Sequence, residues 1–305
     1  MEPMEQGSEQ ADLLIDSGLP GPNVCISYGV HGNERAPIDA ASLLQVMFDV
    51  GELGLSEGKL LLLFGNPRAT AANARWSAGG VDLNRCFHPD ALARAPELTD
   101  LYEQRRAREI AELLDREEIE ILVDFHCTVE PGARFCMHHP GAGDEPHREV
   151  TRLLSSQVVL ADPHLNFGGV SLDEHLSTQG RVGVCYETGW IRDPDNTPSS
   201  VRDEMVNLLA GLGLVAGRAY RTFADKRYLE LREPLVCRSV GGGGFSWAEG
   251  IGQNLQELPE GTLLGCYAQG EPVVLDEDST LIFPKKQPEL VELGKPLVYL
   301  ASRVE

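Results

Sequence analysis

The chain predicts an α/β protein: a sheet with helices on its faces, followed by a small all-β C-terminal domain. Three observations carry this reading. Apolar, β-prone runs alternate with amphipathic helical stretches from residue 23 to about 217. Several of those runs are almost wholly apolar, as in strands covered on both faces. Beyond about residue 225 helical periodicity stops and short β-prone pieces between turns take over. The predicted division is 1–225 for the first domain and 226–305 for the second.

The first 20 or so residues read as a loose lead-in. Val24 to Tyr28 is a short strand that ends at Gly29, and Gly29 to Arg35 is a loop. Ala36 to Val50 follows as a helix, with Pro37 in its first turn and Ile38, Leu43, Leu44 and Met47 near one face. Lys59 to Phe64 is a buried strand that leaves through the turn-like Gly65-Asn66-Pro67-Arg68. Residues 69–98 lack periodicity and are rich in Ala, Gly, Pro and Asn, which predicts a long functional loop. Thr99 to Arg116 is a charged helix with Tyr102, Ile110, Leu113 and Leu114 inward. Ile119 to Phe125 is a buried strand, Phe135 to His138 a short one, and Gly183 to Glu187 a further one. A helix then starts with Thr197 as cap and Pro198 in its first position, and its apolar face is Val201, Met205, Leu208, Leu209 and Leu212. In the tail, Thr262-Leu-Leu-Gly, Pro272-Val-Val-Leu, Thr280-Leu-Ile-Phe and Pro296-Leu-Val-Tyr-Leu read as strands. Gly241 to Gly244 reads as a flexible loop, because no Lys-Ser/Thr follows that would make it a phosphate loop.

Composition narrows the function. The chain has 305 residues and a formal net charge of -21, which disfavours nucleic acid and anionic membranes as partners. No apolar run approaches the ~20 residues that span a bilayer. Met1 to Asp12 is too polar for a secretory signal. Seven scattered Cys without a Cys-x-x-Cys pair suggest reduced thiols and a cytoplasmic protein.

Chemistry concentrates in His31-Gly-Asn-Glu34, Asp82-Leu-Asn-Arg85 and Asp124-Phe-His126. Two His and one carboxylate, with a fourth position open to water, form a standard catalytic zinc set. Asn84 and Arg85 offer an amide and a planar fork suited to a substrate carboxylate. His31, Arg68, His126 and Glu187 all close or follow predicted strands, where open α/β sheets place their sites. The remaining histidines lack such spacing. His138 and His139 are adjacent and would face opposite sides of a strand, while His88, His147, His164 and His175 read as surface or loop residues. Cys127 reads as a core thiol.

Gly29-Val-His-Gly-Asn-Glu-Arg-Ala-Pro37, Asn66-Pro-Arg-Ala69, Asp82-Leu-Asn-Arg85, Asp124-Phe-His126 and Glu187-Thr-Gly189 together resemble the succinylglutamate desuccinylase/aspartoacylase family, a branch of the zinc carboxypeptidase-like hydrolases. The tail, with Glu260-Gly-Thr-Leu-Leu-Gly265 and Leu281-Ile-Phe-Pro284, resembles the β domain of its desuccinylase side. The resemblance implies a mixed central sheet flanked by helices, one zinc ion per chain, and hydrolysis of an N-acyl amino acid. By it, His31, Glu34 and His126 bind zinc, Glu187 is the general base and Arg68 polarises the scissile carbonyl. Asn84 and Arg85 hold the α-carboxylate, and Asp82 orients a ligand histidine. Arg75-Trp76 resembles an Arg-aromatic pair that contacts the acyl group or side chain. Glu130, Pro131 and Trp190 depart from the desuccinylase pattern and leave the acyl group open between succinylglutamate-like and acetylaspartate-like substrates. A highly anionic substrate needs several arginines, for which Arg68, Arg75, Arg85 and Arg134 are candidates. The rival readings are a carboxypeptidase-like enzyme on a peptide or modified amino acid, and a metal-binding module without catalysis.

Overall fold

A computed structural model describes residues 12–95, 97–139, 144–165, 168, 170–238, 244–287 and 291–304. Met1 to Ala11 and Gly241 to Gly243 therefore lie outside the described residues. In chain order the elements begin β1 (Leu13–Asp16), β2 (Asn23–Tyr28), α1 (Arg35–Asp49), β3 (Lys59–Phe64) and α2 (Pro67–Ala71). A single 3-10 turn (Leu83–Arg85) precedes α3 (Pro89–Ala93), α4 (Tyr102–Arg116), β4 (Ile121–Thr128) and β5 (Phe135–His138). Next come α5 (Asp144–Thr151), β6 (Val158–Ala161), α6 (Leu172–Thr178), β7 (Val182–Trp190) and α7 (Pro198–Gly211). The tail holds β8 (Arg227–Leu231), β9 (Leu235–Val236), β10 (Phe245–Trp247), β11 (Glu257–Leu258), β12 (Leu263–Tyr267), β13 (Pro272–Val274), β14 (Ser279–Ile282) and β15 (Pro296–Arg303).

One 12-stranded mixed sheet runs in the order β1-β3-β2-β4-β7-β5-β6-β8-β15-β14-β11, with β9 paired to β15. The central strands β3, β2, β4 and β7 are mutually parallel, and β5 returns antiparallel to β7. Helices cover both faces of this centre. Val24, Ile26, Leu60 and Leu62 pack with Ile38 and Leu44 of α1 and Met205 and Leu208 of α7. Their neighbours Cys25, Leu61 and Leu63 point the other way, onto Ile110 and Leu114 of α4 and Leu172 and Leu176 of α6. This two-sided burial is why Lys59–Phe64 is an unbroken apolar run; each buried Leu is worth ~1.5–3 kcal/mol relative to exposure. Thr197 caps α7 as its sequence predicts, accepting from the Ser200 N–H at 3.2 Å.

Three expectations change. The lead-in contains β1, whose residues pair antiparallel with β3 and cover the edge of the parallel centre. Residues 69–98 are not one loop: α2, the 3-10 turn and α3 all fall there or at its border. Each is too short to show a period, and the legible signal was the start of α2, where the Asn66 side chain accepts from the Ala69 N–H at 3.0 Å and Pro67 takes the first position. Between residues 139 and 182, where the pattern assigns nothing, the chain forms α5, β6 and α6; Ser171 and Glu174 make a capping box on α6.

The tail holds only strands among its described residues, as its texture predicts, but they divide. β8 pairs parallel with β6, so β8, β15, β14 and β11 prolong the central sheet. β10, β12 and β13 form a separate three-stranded sheet.

Candidate active site

The site lies at the C-terminal ends of β2, β4 and β7, where the parallel order places them side by side. After β2 the chain turns sharply into α1 through His31-Gly32-Asn33-Glu34. Gly32 is required there: a Cβ would lie 2.1 Å from the Ala69 carbonyl carbon and the Thr70 nitrogen of α2. Glu34 occupies the position before α1 but makes no capping bond. Its carboxylate faces two imidazoles instead, with Oε1 2.7 Å from His31 Nδ1 and Oε2 3.0 Å from His126 Nδ1. The Cys127 backbone N–H also donates to Oε2 at 3.0 Å.

Each ring is gripped from behind. His31 Nε2 lies 3.0 Å from Asp82 Oδ1, and His126 Nε2 lies 2.7 Å from Asp124 Oδ2. Both rings therefore stand between two carboxylates, and a neutral imidazole can donate from only one nitrogen. Burial opposes the charged form of His126, but Asp124 and Glu34 outweigh it and raise its pKa well above the ordinary value. Burial likewise opposes ionisation of Glu34, and His31 and His126 reverse that, holding it well below the usual carboxylate range. Asp82 is lowered in the same way: burial resists, and the His31 hydrogen bond, His31 charge and Arg75 prevail. The donor atoms of His31, Glu34 and His126 all lie within 4.8 Å of one another, and all three residues are buried. This set fits a zinc ion: both Nδ1 edges converge on one carboxylate, and both Nε2 atoms are already held by acids.

Glu187 sits beside this cluster, opposite His126 in the β4–β7 register. A bulge follows at once, and Gly189 within it adopts φ +122, a conformation that favours glycine. Glu187 Oε2 is buried and has no hydrogen-bond partner. Burial pushes its carboxyl up to about 8, with Glu34 and Asp124 adding to the rise and His126 and Arg75 opposing it.

The arginines separate. Arg75 Nε and Nη2 donate to Asp82 Oδ2 at 3.2 and 2.9 Å, and Nη1 lies 3.9 Å from Glu34 Oε1. Arg68 is exposed on α2 and stacks 4.2 Å above the Tyr102 ring. Its ring contact is with Tyr102, and among the described residues no hydrogen bond or ion pair joins Arg68 to His31, Glu34 or His126. Arg134 is committed to Ser155 at 3.0 Å and Glu204 at 3.3 Å. Arg85 is exposed at the rim, bonded to its neighbour's carbonyl (Asn84) at 2.7 Å. Asn84 is buried, its Oδ1 taken by the Leu172 N–H at 2.9 Å, which turns its amide nitrogen to other use.

Four features escaped the sequence reading. Asp124 holds His126; its signal was spacing, since residues i and i+2 of a strand share a face. Glu103 of α4 is fully buried and gathers the loop, accepting from Asn66 Nδ2 at 3.2 Å, Ser77 N at 2.9 Å and Val81 N at 3.3 Å. Lys285, from the tail, has its pKa lowered by burial first and then by Arg75 and Arg85, with Asp82 and Glu292 opposing. His147 and His175, read as surface or loop residues, are buried, as are His138 and His139. Cys127 behaves as expected: its sulfur lies 3.4 Å from Thr188 Oγ1, and burial pushes the thiol up to about 12.

A profile of the succinylglutamate desuccinylase/aspartoacylase catalytic domain matches residues 20–195. Succinylglutamate desuccinylase of Erwinia tasmaniensis is 33% identical over 111 residues, 34% of this chain and 32% of that protein. The Chromobacterium violaceum enzyme of the same name is 40% identical over 78 residues, 26% of this chain and 22% of the relative. The matched stretches thus span a third or less of these relatives. In fold, succinylglutamate desuccinylase of Vibrio parahaemolyticus superposes with TM-score 0.76 at 14% identity, covering 97% of this chain and 86% of that one. Murine aminoacylase 3 superposes with TM-score 0.71 at 18% identity, covering 93% and 96%. With the profile spanning more than half of its length, this chain belongs to the succinylglutamate desuccinylase/aspartoacylase family.

Proposed function

We propose that this protein is a zinc-dependent deacylase that hydrolyses the amide bond of an N-acyl amino acid with a free carboxylate. One observation carries the reading: Glu34 bridges the Nδ1 edges of two histidines already held by Asp82 and Asp124, beside a buried carboxylate oxygen of Glu187 that has no partner. His31, Glu34 and His126 would hold one zinc ion. When bound, zinc supplies Lewis acidity, polarising a carbonyl and making water ionisable near neutral pH. A positive charge held there also favours the ionised form of Glu187. Glu187 then takes a proton from the attacking water on Oε2 and delivers it to the leaving amine nitrogen.

The placement of Arg75 supports it, in place of Arg68, as the donor to the developing oxyanion. Asn84 Nδ2 and the Arg85 fork suit the α-carboxylate. Lys285, which feels the charges of Arg75 and Arg85 as well as Asp82 and Glu292, is our candidate for a second carboxylate, in line with succinylglutamate-like or acetylaspartate-like substrates. We assign residues 1–225 to the catalytic domain and 226–305 to a second domain that supplies Lys285. Seven free cysteines support a reducing compartment, the cytoplasm. No helix among the described residues is long and apolar enough to cross a membrane.

The test is amine release from a panel of N-acyl amino acids by zinc-loaded and chelator-stripped protein. Zinc-dependent release from dicarboxylic substrates is expected, and Glu187→Gln should cut kcat ~10²–10⁴-fold with zinc content unchanged. No release from any acyl amino acid while zinc stays bound would overturn it in favour of a peptidase or a non-catalytic metal protein.

A further inference from the structure

We propose that His139, Asp162 and Glu174 form a second divalent-cation site, separate from His31, Glu34 and His126. The three residues follow or open neighbouring elements. β5 and β6 run parallel with His138 opposite Ala161, so His139 and Asp162 leave the sheet side by side. Glu174 lies in the first turn of α6, which packs chiefly on β7 and β4 and also reaches β5. Their relative exposures are 2%, 0% and 0%.

The ligand geometry repeats that of the first cluster. His139 Nε2 is held from behind by Asp173 Oδ2 at 3.2 Å, as Asp124 holds His126. That leaves Nδ1 facing forward, 3.8 Å from both Asp162 Oδ2 and Glu174 Oε1. These gaps are too long for hydrogen bonds. They are spanned by two metal–ligand bonds of ~2.0–2.2 Å meeting at one ion. One donor atom from each residue lies within 4.8 Å of the others.

A second observation points to a ligand. His139 Nδ1 and Glu174 Oε1 are both buried without a hydrogen-bond partner. Glu174 is not idle, since its other oxygen accepts from Val170 N at 2.7 Å and Ser171 N at 2.9 Å. Its rotamer is therefore set by the helix start, and Oε1 is aimed at the imidazole. An unsatisfied buried carboxylate oxygen and ring nitrogen are each costly, and a shared cation satisfies both. One imidazole and two carboxylates suit Zn²⁺ or Mn²⁺ rather than a soft ion. Such an ion would pin the start of α6 to the sheet. Leu172 of α6 supports Asn84 Oδ1 at 2.9 Å, so this site also braces the substrate-facing amide.

Zinc itself is the probe. Bound zinc is counted on the full chain after equilibration and gel filtration, for wild type, His126→Ala, Glu174→Gln, Asp162→Asn and the double variant His126→Ala/Glu174→Gln. Two ions in wild type, one in each single variant and none in the double variant are expected. Added zinc should also raise the melting temperature of His126→Ala but not of the double variant. One ion in wild type and none in His126→Ala would overturn the second site, as would an undiminished count in both Glu174→Gln and Asp162→Asn. Should Glu174→Gln fail to fold, wild type, His126→Ala and Asp162→Asn decide the matter. An undiminished count in His126→Ala, with the other variants lowered, would instead refute the first site and keep the second.

Discussion

Asp124→Asn tests the support behind His126. Asp124 is fully buried and its Oδ2 lies 2.7 Å from His126 Nε2. The amide keeps the shape and an acceptor oxygen but loses the charge. A hydrogen bond to a charged group is worth ~1.5–3 kcal/mol and a neutral one ~0.5–1.5. The difference, about 1–1.5 kcal/mol, corresponds to roughly a tenfold loss of zinc affinity. Asp124→Ala leaves the ring N–H unpaired in a buried site, at ~1–3 kcal/mol, and should approach a hundredfold loss. Competition titration against a zinc chelator, with melting curves as a fold control, reads both. Zinc affinity within twofold of wild type for Asp124→Ala would refute the idea that Asp124 orients a metal ligand.

Arg75→Ala should lower kcat ~10²–10³-fold, as expected for an oxyanion donor, whereas Arg68→Ala should change it less than threefold; the reverse order would restore Arg68 to the site. Gly32→Ala forces a Cβ to within 2.1 Å of the α2 backbone and should destabilise by ~1–3 kcal/mol or more, seen as a lower melting temperature. In chelator-treated protein the folded Glu187 carboxyl is raised to about 8 while its unfolded value stays ordinary, so its contribution to stability is complete at low pH and is lost as pH rises through about 8. The melting temperature of Glu187→Gln should therefore gain on wild type from about pH 5 to pH 8 and then hold a constant lead; a pH-independent difference would show that Glu187 does not titrate in this range.

Local order was legible from residue types alone. The apolar run at Lys59–Phe64, the cap and proline that open α7, and the end of β2 at Tyr28 lie where periodicity and turn chemistry place them, whereas β4 and β7 run past His126 and Glu187 to Thr128 and Trp190. The segments containing His31, Glu34, Asp82 and His126 could be picked out because each keeps its chemistry within a few residues. What the sequence could not determine depends on which elements become neighbours. Arg68 and Arg75 are equally plausible as letters, and only the packed structure shows one stacked on Tyr102 and the other held on Asp82 beside Glu34. The β-rich tail was visible, yet its pairing through β8 to β6 is a register between strands about 70 residues apart, beyond the reach of local pattern. His139, Asp162 and Glu174 have no motif spacing; a parallel pair of strand ends and a short helix bring them together. Propensity and patterning act over a few residues, whereas side-chain convergence is a property of the packed sheet, which the tertiary structure alone decides.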